Sequence, residues 1–502
     1  MKKFIYATLA VAAVLLFASC KNDKNQPKNE AGDAYVSFTF NLPQGGTRAG
    51  VGDKHANDLY NGTAAEQTIQ KVRVVLFDPS SEVVKYAFDY NITGDGENPI
   101  DGADKVGTST TAKFTTKAKE VVTQDYKMLA IINGTAEVLA ATEVGKHLKD
   151  AQAVLTSDVA TLSGAGKAIM MSNDRGLVDV KSTSMKKKDT DAEAAPVTVN
   201  VDRILAKVFV GGTPECKNGK LTNIKWQLNT TNTKTFIYRQ FAQVNTGLDD
   251  FADETATDGS TRFNRYAKDP NYSGTFNAAD FTYLEGVPTL KGTFGFNDAD
   301  GQYCLENTMD AASQKIQQTT SFILSGTWTP ANDTKRGITF TEGETWYDWK
   351  GFSFPKAKMA EYKAIVDDAS NTKPEIDNTT PGFKAALKAA ITAGLTVDAQ
   401  GDVAASGTFG EIVAYKNGVC YYQSLLIRHF NNAQSAKEMG YGRYGVVRNN
   451  IYKINIKEIK HVGAPNVTND KDKDKNDDPS MSYISFDVNV NPWIVREQDI
   501  SL

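Results

Sequence analysis

Histidine is scarce in this sequence, and its scarcity argues against catalysis and metal binding. The chain has 502 residues and only four histidines. They are widely separated, at His55, His147, His429 and His461. They form no HExxH pair and no spacing typical of a zinc site, and nothing in the sequence argues for a Ser-His-Asp triad. We therefore predict that the protein is not an enzyme and that it binds no metal and no cofactor.

Cysteine is equally scarce, which argues against a scaffold held by disulfide bonds. After Cys20 the chain contains only Cys216, Cys304 and Cys420, an odd number at wide spacing. Disulfide frameworks use more cysteines at closer spacing. We expect these three residues to be small buried side chains, with one disulfide pair among them as the less favoured alternative.

An excess of positive charge is also absent. The formal net charge is −4, whereas nucleic-acid binding needs a basic surface that neutralises phosphates. We therefore predict no nucleic-acid partner. The sequence is instead rich in short runs that alternate apolar and polar residues and contain many Thr, Val, Tyr and Phe residues. Such runs favour β-strands, so they predict an all-β protein with a few short helices.

The first twenty residues have the pattern of an export signal. Lys2 and Lys3 are followed by an apolar run at residues 4–17, which is too short to span a bilayer as a mature helix. The sequence FASC at residues 17–20 resembles a bacterial lipobox, in which the cysteine receives a lipid and becomes the new N-terminus. We therefore predict a lipoprotein signal peptide at residues 1–20 with lipid attachment at Cys20. The alternative is an ordinary secretory signal with an incidental cysteine.

Nearly the same strand pattern occurs at both ends of the chain. Residues 35–42 read YVSFTFNL, and residues 483–490 read YISFDVNV. The apolar series of the first is Val36, Phe38, Phe40 and Leu42, and that of the second is Ile484, Phe486, Val488 and Val490. Alternation with a period of two predicts strands with one buried and one polar face. Two strands with the same buried face are suited to the same place in a fold.

Polar stretches divide the chain between these two strands. A glycine-rich loop with Arg48 follows the first strand, and by itself it fits either a protease site or a plain turn. The polar run at residues 186–193 predicts a linker between two strand-rich blocks. The run NDKDKDKNDDPS at residues 469–480 predicts a second linker. Helical spacing is confined to residues 137–155 and 383–393. The two blocks therefore predict β-sandwich domains.

Three stretches of the sequence resemble the fimbrillins of Bacteroidales, in particular the short-fimbria subunits of Porphyromonas. They are VNVDRILAKV at residues 199–208, VVRNNIYKINIK at residues 446–457, and NPW at residues 491–493 in the final segment. The likeness extends along the whole chain, and the loops at about residues 245–315 look divergent. The resemblance implies a surface fimbrial subunit that mediates adhesion or aggregation, with two transthyretin-like β-sandwich domains.

The resemblance also implies how such a subunit assembles. The family is exported as a lipoprotein, cut after an arginine in the loop that follows the first strand, and polymerised by donor-strand exchange. In this chain the cut would separate Arg48 from Ala49. It would release the removable strand formed by Val36, Phe38, Phe40 and Leu42. The donor strand would carry Ile484, Phe486, Val488, Val490 and Trp493.

The implied organisation has six parts. They are a signal peptide at residues 1–20, a propeptide at 21–48, sandwich domains at 49–190 and 196–462, a linker at 463–481, and a donor segment at 482–502. The implied partners are identical subunits, anchor and accessory subunits, an Arg-specific protease, the outer membrane through the lipid before cleavage, and receptors on host or bacterial surfaces.

The favoured interpretation is a structural stalk subunit of the fimbria, because the chain carries both a removable first strand and a donor strand behind a linker. Two alternatives to a stalk subunit remain open at the level of sequence. One is an accessory or tip subunit of the same fimbria. The other is a surface glycan-binding lipoprotein, in which Trp346, Tyr347 and Trp349 would form a sugar platform. The same aromatic residues also fit the core of a β-sandwich, and this second interpretation is favoured.

Overall fold

The computed structural model describes most of the chain between residues 31 and 501. The described residues are 31–41, 62–91, 113–156, 159–163, 168–174, 176–240, 254–255, 261–262, 267–272, 275–309, 313–376, 379–429, 444–468, 488–489 and 494–501. The chain is strand-rich with short helices, so the prediction of an all-β fold is confirmed.

The N-terminal unit is built around one large sheet. In spatial order its strands are β4 (Val84–Asn91), β3 (Lys71–Phe77), β7 (Tyr126–Ile132), β9 (Met171–Asn173), β11 (Val197–Arg203), β2 (Phe38–Asn41) and β5 (Lys113–Thr115). Strand β10 (Val178–Val180) also pairs with β7, and β1 (Ala34–Val36) pairs with β6 (Lys119–Val121). The helices of this unit are α1 (Ala64–Gln67), α2 (Ala136–Ala140), α3 (Leu148–Ala151), α4 (Val159–Ser163) and α5 (Asp189–Ala194).

The C-terminal unit contains two larger sheets that face each other. The first has the order β21 (Gln302–Leu305), β12 (Leu205–Gly211), β28 (Asn450–Ile459), β30 (Ile494–Ser501) and β29 (Val488–Asn489), with β13 (Glu215–Cys216) also on β28. The second has the order β20 (Gly292–Thr293), β14 (Gly219–Asn229), β22 (Ser321–Pro330) and β27 (Val419–Leu426). Their facing side chains form the largest apolar core.

A smaller sheet and two helices are inserted between β22 and β27. Its order is β24 (Phe352–Pro355), β23 (Trp346–Trp349), β26 (Ile412–Tyr415) and β25 (Gly407–Phe409), and the helices are α6 (Lys356–Asp367) and α7 (Phe383–Thr392). The remaining strand pairs are β8 (Val154–Thr156) with β16 (Lys234–Phe236), β15 (Thr231–Asn232) with β19 (Phe281–Thr282), and β17 (Glu254–Thr255) with β18 (Thr261–Arg262).

Strand β12 joins the two units because both of its faces are buried. Every residue of Leu205–Gly211 is buried. Leu205 and Phe209 face a core that also contains residues of β3 and β7 from the N-terminal sheet. Val208 and Val210 face the core of the C-terminal unit. A continuous buried run of this kind is expected for a strand covered on both faces, and it makes the two units share a core.

The structure divides the predicted helix at residues 137–155 into α2, α3 and strand β8. Two local features end α2. The hydroxyl of Thr142 donates to the carbonyl of Val138 at 2.9 Å, and Gly145 has a φ of +86°, which an L-residue rarely adopts in a helix. The second predicted helix agrees with α7, where Phe383, Leu387 and Ala390 are buried on one face.

The polar run at residues 186–193, which we predicted to be a linker, packs on the first strand of the N-terminal unit. The amide of Tyr35 donates to the carbonyl of Lys186 at 2.7 Å, and Glu193 in α5 accepts from the amide of Ala118 at 3.1 Å. Strand β11, which we expected to open the second domain, pairs with β2 and β9 in the first sheet. The sheet of the N-terminal unit therefore extends to Arg203.

Cys216, Cys304 and Cys420 are free thiols. Burial raises the pKa of both the Cys304 and the Cys420 thiol to about 12, so these two are neutral at physiological pH. In the described ranges, no helix has both the length and the apolar character that a membrane crossing requires.

Candidate functional site

The site that the repeated strand predicts is the place of β2 in the first sheet. Strand β2 lies between β11 and β5. It is parallel to β11, with Phe38 opposite Val197 and Phe40 opposite Val199. It is antiparallel to β5, with Phe40 opposite Phe114. Strand β2 therefore has a hydrogen-bonded neighbour on each side, and we call the space that it occupies between β11 and β5 the first-strand slot.

The apolar side chains of this segment are in the core. Val36, Phe38 and Phe40 are buried, with exposed fractions of 1% or less, and the ring of Phe40 stacks on that of Phe114 with centroids 5.0 Å apart. Leu42, the fourth predicted member of this face, lies outside the described residues. Because β2 supplies large side chains to the core, any strand that replaced it would need apolar residues in the same register.

The opposite face of this segment is polar, as the alternation predicts, and it is also buried. The hydroxyl of Ser37 donates to the carbonyl of Thr116 at 2.7 Å, and the hydroxyls of Thr39 and Thr115 are 2.7 Å apart. At the end of the strand, Asn41 donates through Nδ2 to Asn200 Oδ1 at 2.9 Å. These bonds satisfy buried polar groups, so the slot selects polar as well as apolar side chains.

The C-terminal segment pairs with its own chain in this structure. Strand β30 runs parallel to β28, with Asn450 opposite Ile494 and Ile456 opposite Ile500, and β29 is antiparallel to β30. Of the predicted donor residues, only Val488 lies in a described strand. Ile484, Phe486, Val490 and Trp493 lie outside the described residues, as do Cys20, Arg48 and Ala49.

A buried ion pair joins α1 to the C-terminal unit. The side chains of Glu66 and Lys207 are fully buried and 2.6 Å apart. Tyr303 also donates a hydrogen bond to the Glu66 carboxylate, and the amide of Thr63 donates another at 2.7 Å. Burial alone would raise the pKa of Glu66, but the hydrogen bonds and the charge of Lys207 lower it below its usual value. The Glu66 carboxylate is therefore ionised at neutral pH.

A second buried ionic cluster surrounds the end of β11, and we call it the β11 cluster. Its members come from both units, and they are Asp202, Arg239, Glu306, Arg448 and Asn449. Asp202 lies 2.9 Å from Nη1 of Arg239 and accepts a hydrogen bond from Nδ2 of Asn449 at 2.8 Å. Arg448 donates through Nε to Glu306 at 2.8 Å.

Sequence reasoning missed both ionic groups because their partners are distant in the chain, from 37 residues for Asp202 and Arg239 to 247 residues for Asp202 and Asn449. The available signal was the presence of charged residues inside apolar runs. Asp202 and Lys207 interrupt VNVDRILAKV, and Arg448 follows two valines in VVRNNIYKINIK. A charged residue in a buried strand requires a partner, although the sequence does not say which residue supplies it.

Loss of one partner of the α1 ion pair is expected to destabilise the protein strongly. Replacement of Lys207 by methionine leaves the Glu66 carboxylate buried without its cation, which costs about 3–5 kcal/mol. The control is Lys187→Met, because Lys187 and Asp33 form a largely exposed pair at 3.7 Å, and exposed pairs contribute little to stability. Urea unfolding of the two variants measures the difference, and equal destabilisation would contradict the buried-pair assignment.

The aromatic residues of the proposed sugar platform are in the core of the inserted sheet. Trp346, Tyr347 and Trp349 are buried. Trp346 donates to the carbonyl of Trp328 at 3.1 Å, and Tyr347 donates to that of Gly401 at 2.6 Å. These side chains offer no exposed stacking face for a sugar. No group of three or more His, Cys, Asp and Glu residues in the described part of the chain is arranged to hold a metal.

These features define a β-rich structural protein held together by strand pairing and buried ion pairs. The family described as "Major fimbrial subunit protein (FimA)" matches residues 34–203, which end with the last residue of β11. The family described as "Major fimbrial subunit protein type IV, Fimbrillin, C-terminal" matches residues 413–499. The two matches together cover about half of the chain, and the chain belongs to the fimbrillin family of fimbrial subunits.

Family membership confirms three of the predictions from sequence. The protein is a subunit of a cell-surface fimbrium and belongs to a family of adhesion proteins. It is a structural protein and not an enzyme. As a fimbrial subunit it assembles with other fimbrial subunits.

Solved structures of fimbrial proteins are also similar to the chain. A fimbrilin (fimA) from Porphyromonas gingivalis is 12% identical, with a TM-score of 0.38, and the match covers 93% of this chain and 97% of that one. The tip fimbrial protein Mfa3 from the same species is 13% identical, with a TM-score of 0.32 and coverages of 61% and 84%. A fimbrial assembly protein from Parabacteroides distasonis is 16% identical, with a TM-score of 0.30 and coverages of 58% and 81%. No curated protein sequence matches the chain.

Proposed function

We propose that this protein is the stalk subunit of its fimbria and that it polymerises by donor-strand exchange after cleavage between Arg48 and Ala49. The observation that carries the proposal is the place of β2. It is a buried strand between two neighbours, and it precedes the Arg48 loop by a few residues. Removal of residues 1–48 would open the first-strand slot, and the C-terminal segment of another subunit carries a strand with the same alternation.

Cleavage is needed because the two competing strands have nearly equal contact energies. Burial of Val36 in β1 and of Phe38 and Phe40 in β2 contributes roughly 5–9 kcal/mol gross, and the apolar series of the C-terminal strand offers a similar amount. Before cleavage the first strand is tethered at an effective concentration on the order of millimolar, so it outcompetes a strand from solution. Once it is cut it diffuses away, and the open edges of β11 and β5 then require a new hydrogen-bonding partner.

Export and cleavage precede assembly. The subunit is exported as a lipoprotein on Cys20 and reaches the outer membrane, where an Arg-specific protease removes the propeptide and its lipid. The predicted linker at residues 463–481 begins with a paired stretch, because Ala464 pairs with Tyr421 and Val467 with Gly286 in the C-terminal unit. The remaining residues 469–481 have the length to extend about 40 Å at ~3.3 Å per residue, which gives the donor segment the reach to enter a neighbour. Since β30 pairs with β28 in the monomer, exchange begins with release of the final segment from β28.

The pairing of β30 with β28 favours an accessory or tip subunit as the second candidate. A subunit at the end of the fimbria has no neighbour to which it must donate, so its final segment can remain in its own sheet. The stalk is the first choice because the removable strand and the donor pattern occur in the same chain. Anchor and accessory subunits, together with surface receptors, complete the proposed set of partners.

Two measurements on sheared surface material test the proposal. Electron microscopy is expected to show filaments that contain this protein, and N-terminal sequencing is expected to begin at Ala49. Filaments that contain the protein only at one end would support the accessory or tip assignment. An intact N-terminus at Cys20 in assembled filaments would exclude cleavage as the trigger.

Replacement of Cys20 by alanine is expected to remove the lipid and impair surface delivery. The reason is that the thiol of Cys20 is the proposed acceptor of the lipid. Metabolic labelling with palmitate is expected to be lost in Cys20→Ala. The control is Cys216→Ala, which removes a partly buried thiol and leaves the labelling unchanged. Equal labelling of Cys20→Ala and the wild type would show that the signal is not that of a lipoprotein.

A further inference from the structure

Strand β11 performs two structural tasks along its seven residues. Its first half, from Val197 to Asn200, forms the parallel ladder with β2. Its second half, from Val201 to Arg203, pairs with β9 and is buried at every residue. The first half is thus one wall of the first-strand slot, and the second half is enclosed between the two units.

The β11 cluster holds this enclosed half from several directions. Asp202 is bound by Arg239 at 2.9 Å and by Asn449 at 2.8 Å. Arg239 also donates through Nη2 to the carbonyl of Arg448 at 2.9 Å. Arg239 and Arg448 are both next to Glu306, at 3.7 and 2.8 Å. All five side chains are buried. An ion pair in such surroundings resists displacement, because separation would leave a charge buried without its partner.

We propose that the β11 cluster is a positioning site for strand exchange, which holds the Val197–Asn200 edge in the shape of a strand after β2 has left. This inference rests on the exchange proposed above. A strand that loses a neighbour exposes a row of unpaired amides and carbonyls and tends to fray. The contacts of Asp202 with Arg239 and Asn449 hold β11 against the C-terminal unit next to that edge. The edge therefore keeps its strand conformation and can pair with the incoming strand.

A preorganised edge changes how tightly the slot binds a donor. If only a fraction of cleaved molecules have an ordered edge, the apparent dissociation constant rises by the inverse of that fraction. The cluster therefore acts on binding by the cleaved subunit. In the uncleaved subunit β2 itself orders the same edge, so the cluster has little effect there.

The test uses two variants that weaken the cluster at Asp202. Asp202→Asn removes the charge and keeps the shape of the side chain. Asn449→Gly removes only the amide contacts, and glycine accepts the φ of +60° found at residue 449. The control is Asp402→Asn, which removes the charge of a carboxylate paired with Lys416 at 2.9 Å. Both residues belong to the inserted region and are remote in sequence from β11. Full-length proteins are purified uncleaved, and each is then cut after Arg48 in vitro.

Binding of a synthetic peptide of residues 481–502 is measured by fluorescence anisotropy, and amide hydrogen exchange is followed at residues 197–203. We expect about tenfold weaker binding for the two cluster variants and unchanged binding for Asp402→Asn. Exchange at Val197–Asn200 is expected to accelerate in the cleaved variants only. Equal acceleration before cleavage would show a general structural role and would overturn the inference.

The outcomes separate the inference from the proposed function. If cleaved wild-type protein fails to bind the peptide, the exchange itself is contradicted. If the wild type binds and both cluster variants bind equally well, the inference alone is wrong. Where Asp202→Asn does not fold, Asn449→Gly decides, because it leaves every charge of the cluster in place.

Discussion

Replacement of Arg48 by alanine is expected to abolish polymerisation and leave a folded, soluble monomer. Without the cut, β2 remains tethered in the first-strand slot between β11 and β5. At an effective concentration on the order of millimolar, it excludes a donor strand of similar contact energy. SDS-resistant ladders on unboiled gels, which report polymers, are expected in the wild type and absent in Arg48→Ala.

Arg48→Lys provides the matched control for this experiment. It keeps the positive charge and the length of the side chain but removes the substrate of an Arg-specific protease. It is therefore expected to remain monomeric in the cell and to polymerise when a Lys-specific protease is added to the purified protein. Ladders formed by Arg48→Ala without any protease would show that another event opens the slot.

Truncation after Pro479 is expected to turn the subunit into a chain terminator. The truncated protein lacks the donor residues Ile484, Phe486, Val488, Val490 and Trp493, yet it keeps the first-strand slot. After cleavage it is therefore expected to accept a donor and to donate none. Alone it forms no polymer, and when mixed with excess wild-type protein it shortens the filaments seen by electron microscopy.

Calorimetry of the truncated monomer separates this interpretation from a purely structural role of the C-terminus. Truncation removes β29 and β30 from the edge of a sheet in which β28 still pairs with β12. We therefore expect the truncated monomer to stay folded, with a modest drop in melting temperature from the loss of the β28–β30 ladder. Burial of four apolar side chains in the home sheet would contribute roughly 6–12 kcal/mol, comparable with the whole stability of a domain. A large drop in melting temperature would therefore show that the strand serves its own chain.

Much of the fold could be predicted from local patterns. The alternating run at residues 35–42 correctly indicated β-structure, although the structure divides it at Ser37 into β1 and β2 with different partners. Helical spacing correctly indicated α7. Both features depend on neighbours within one turn or one pleat. The prediction at residues 137–155 was wrong where Thr142 and Gly145 interrupt the helix. The polar run at residues 186–193 looked like a free linker, since its contacts with Tyr35 and Ala118 are with distant segments.

The amino-acid sequence by itself determined the class of the protein. Period-two alternation predicted the all-β fold, and the resemblance of residues 199–208 and 446–457 to the fimbrillins implied a fimbrial subunit. Tertiary structure decided which strands are neighbours of β2, that its polar face is buried, and that β11 belongs to the first sheet. It also decided the partners of buried charges, since Asp202 and Asn449 are 247 residues apart. The physical reason is that the alternation of a strand indicates which of its side chains share a face. The choice of neighbouring strands depends instead on the free energy of the whole assembled core.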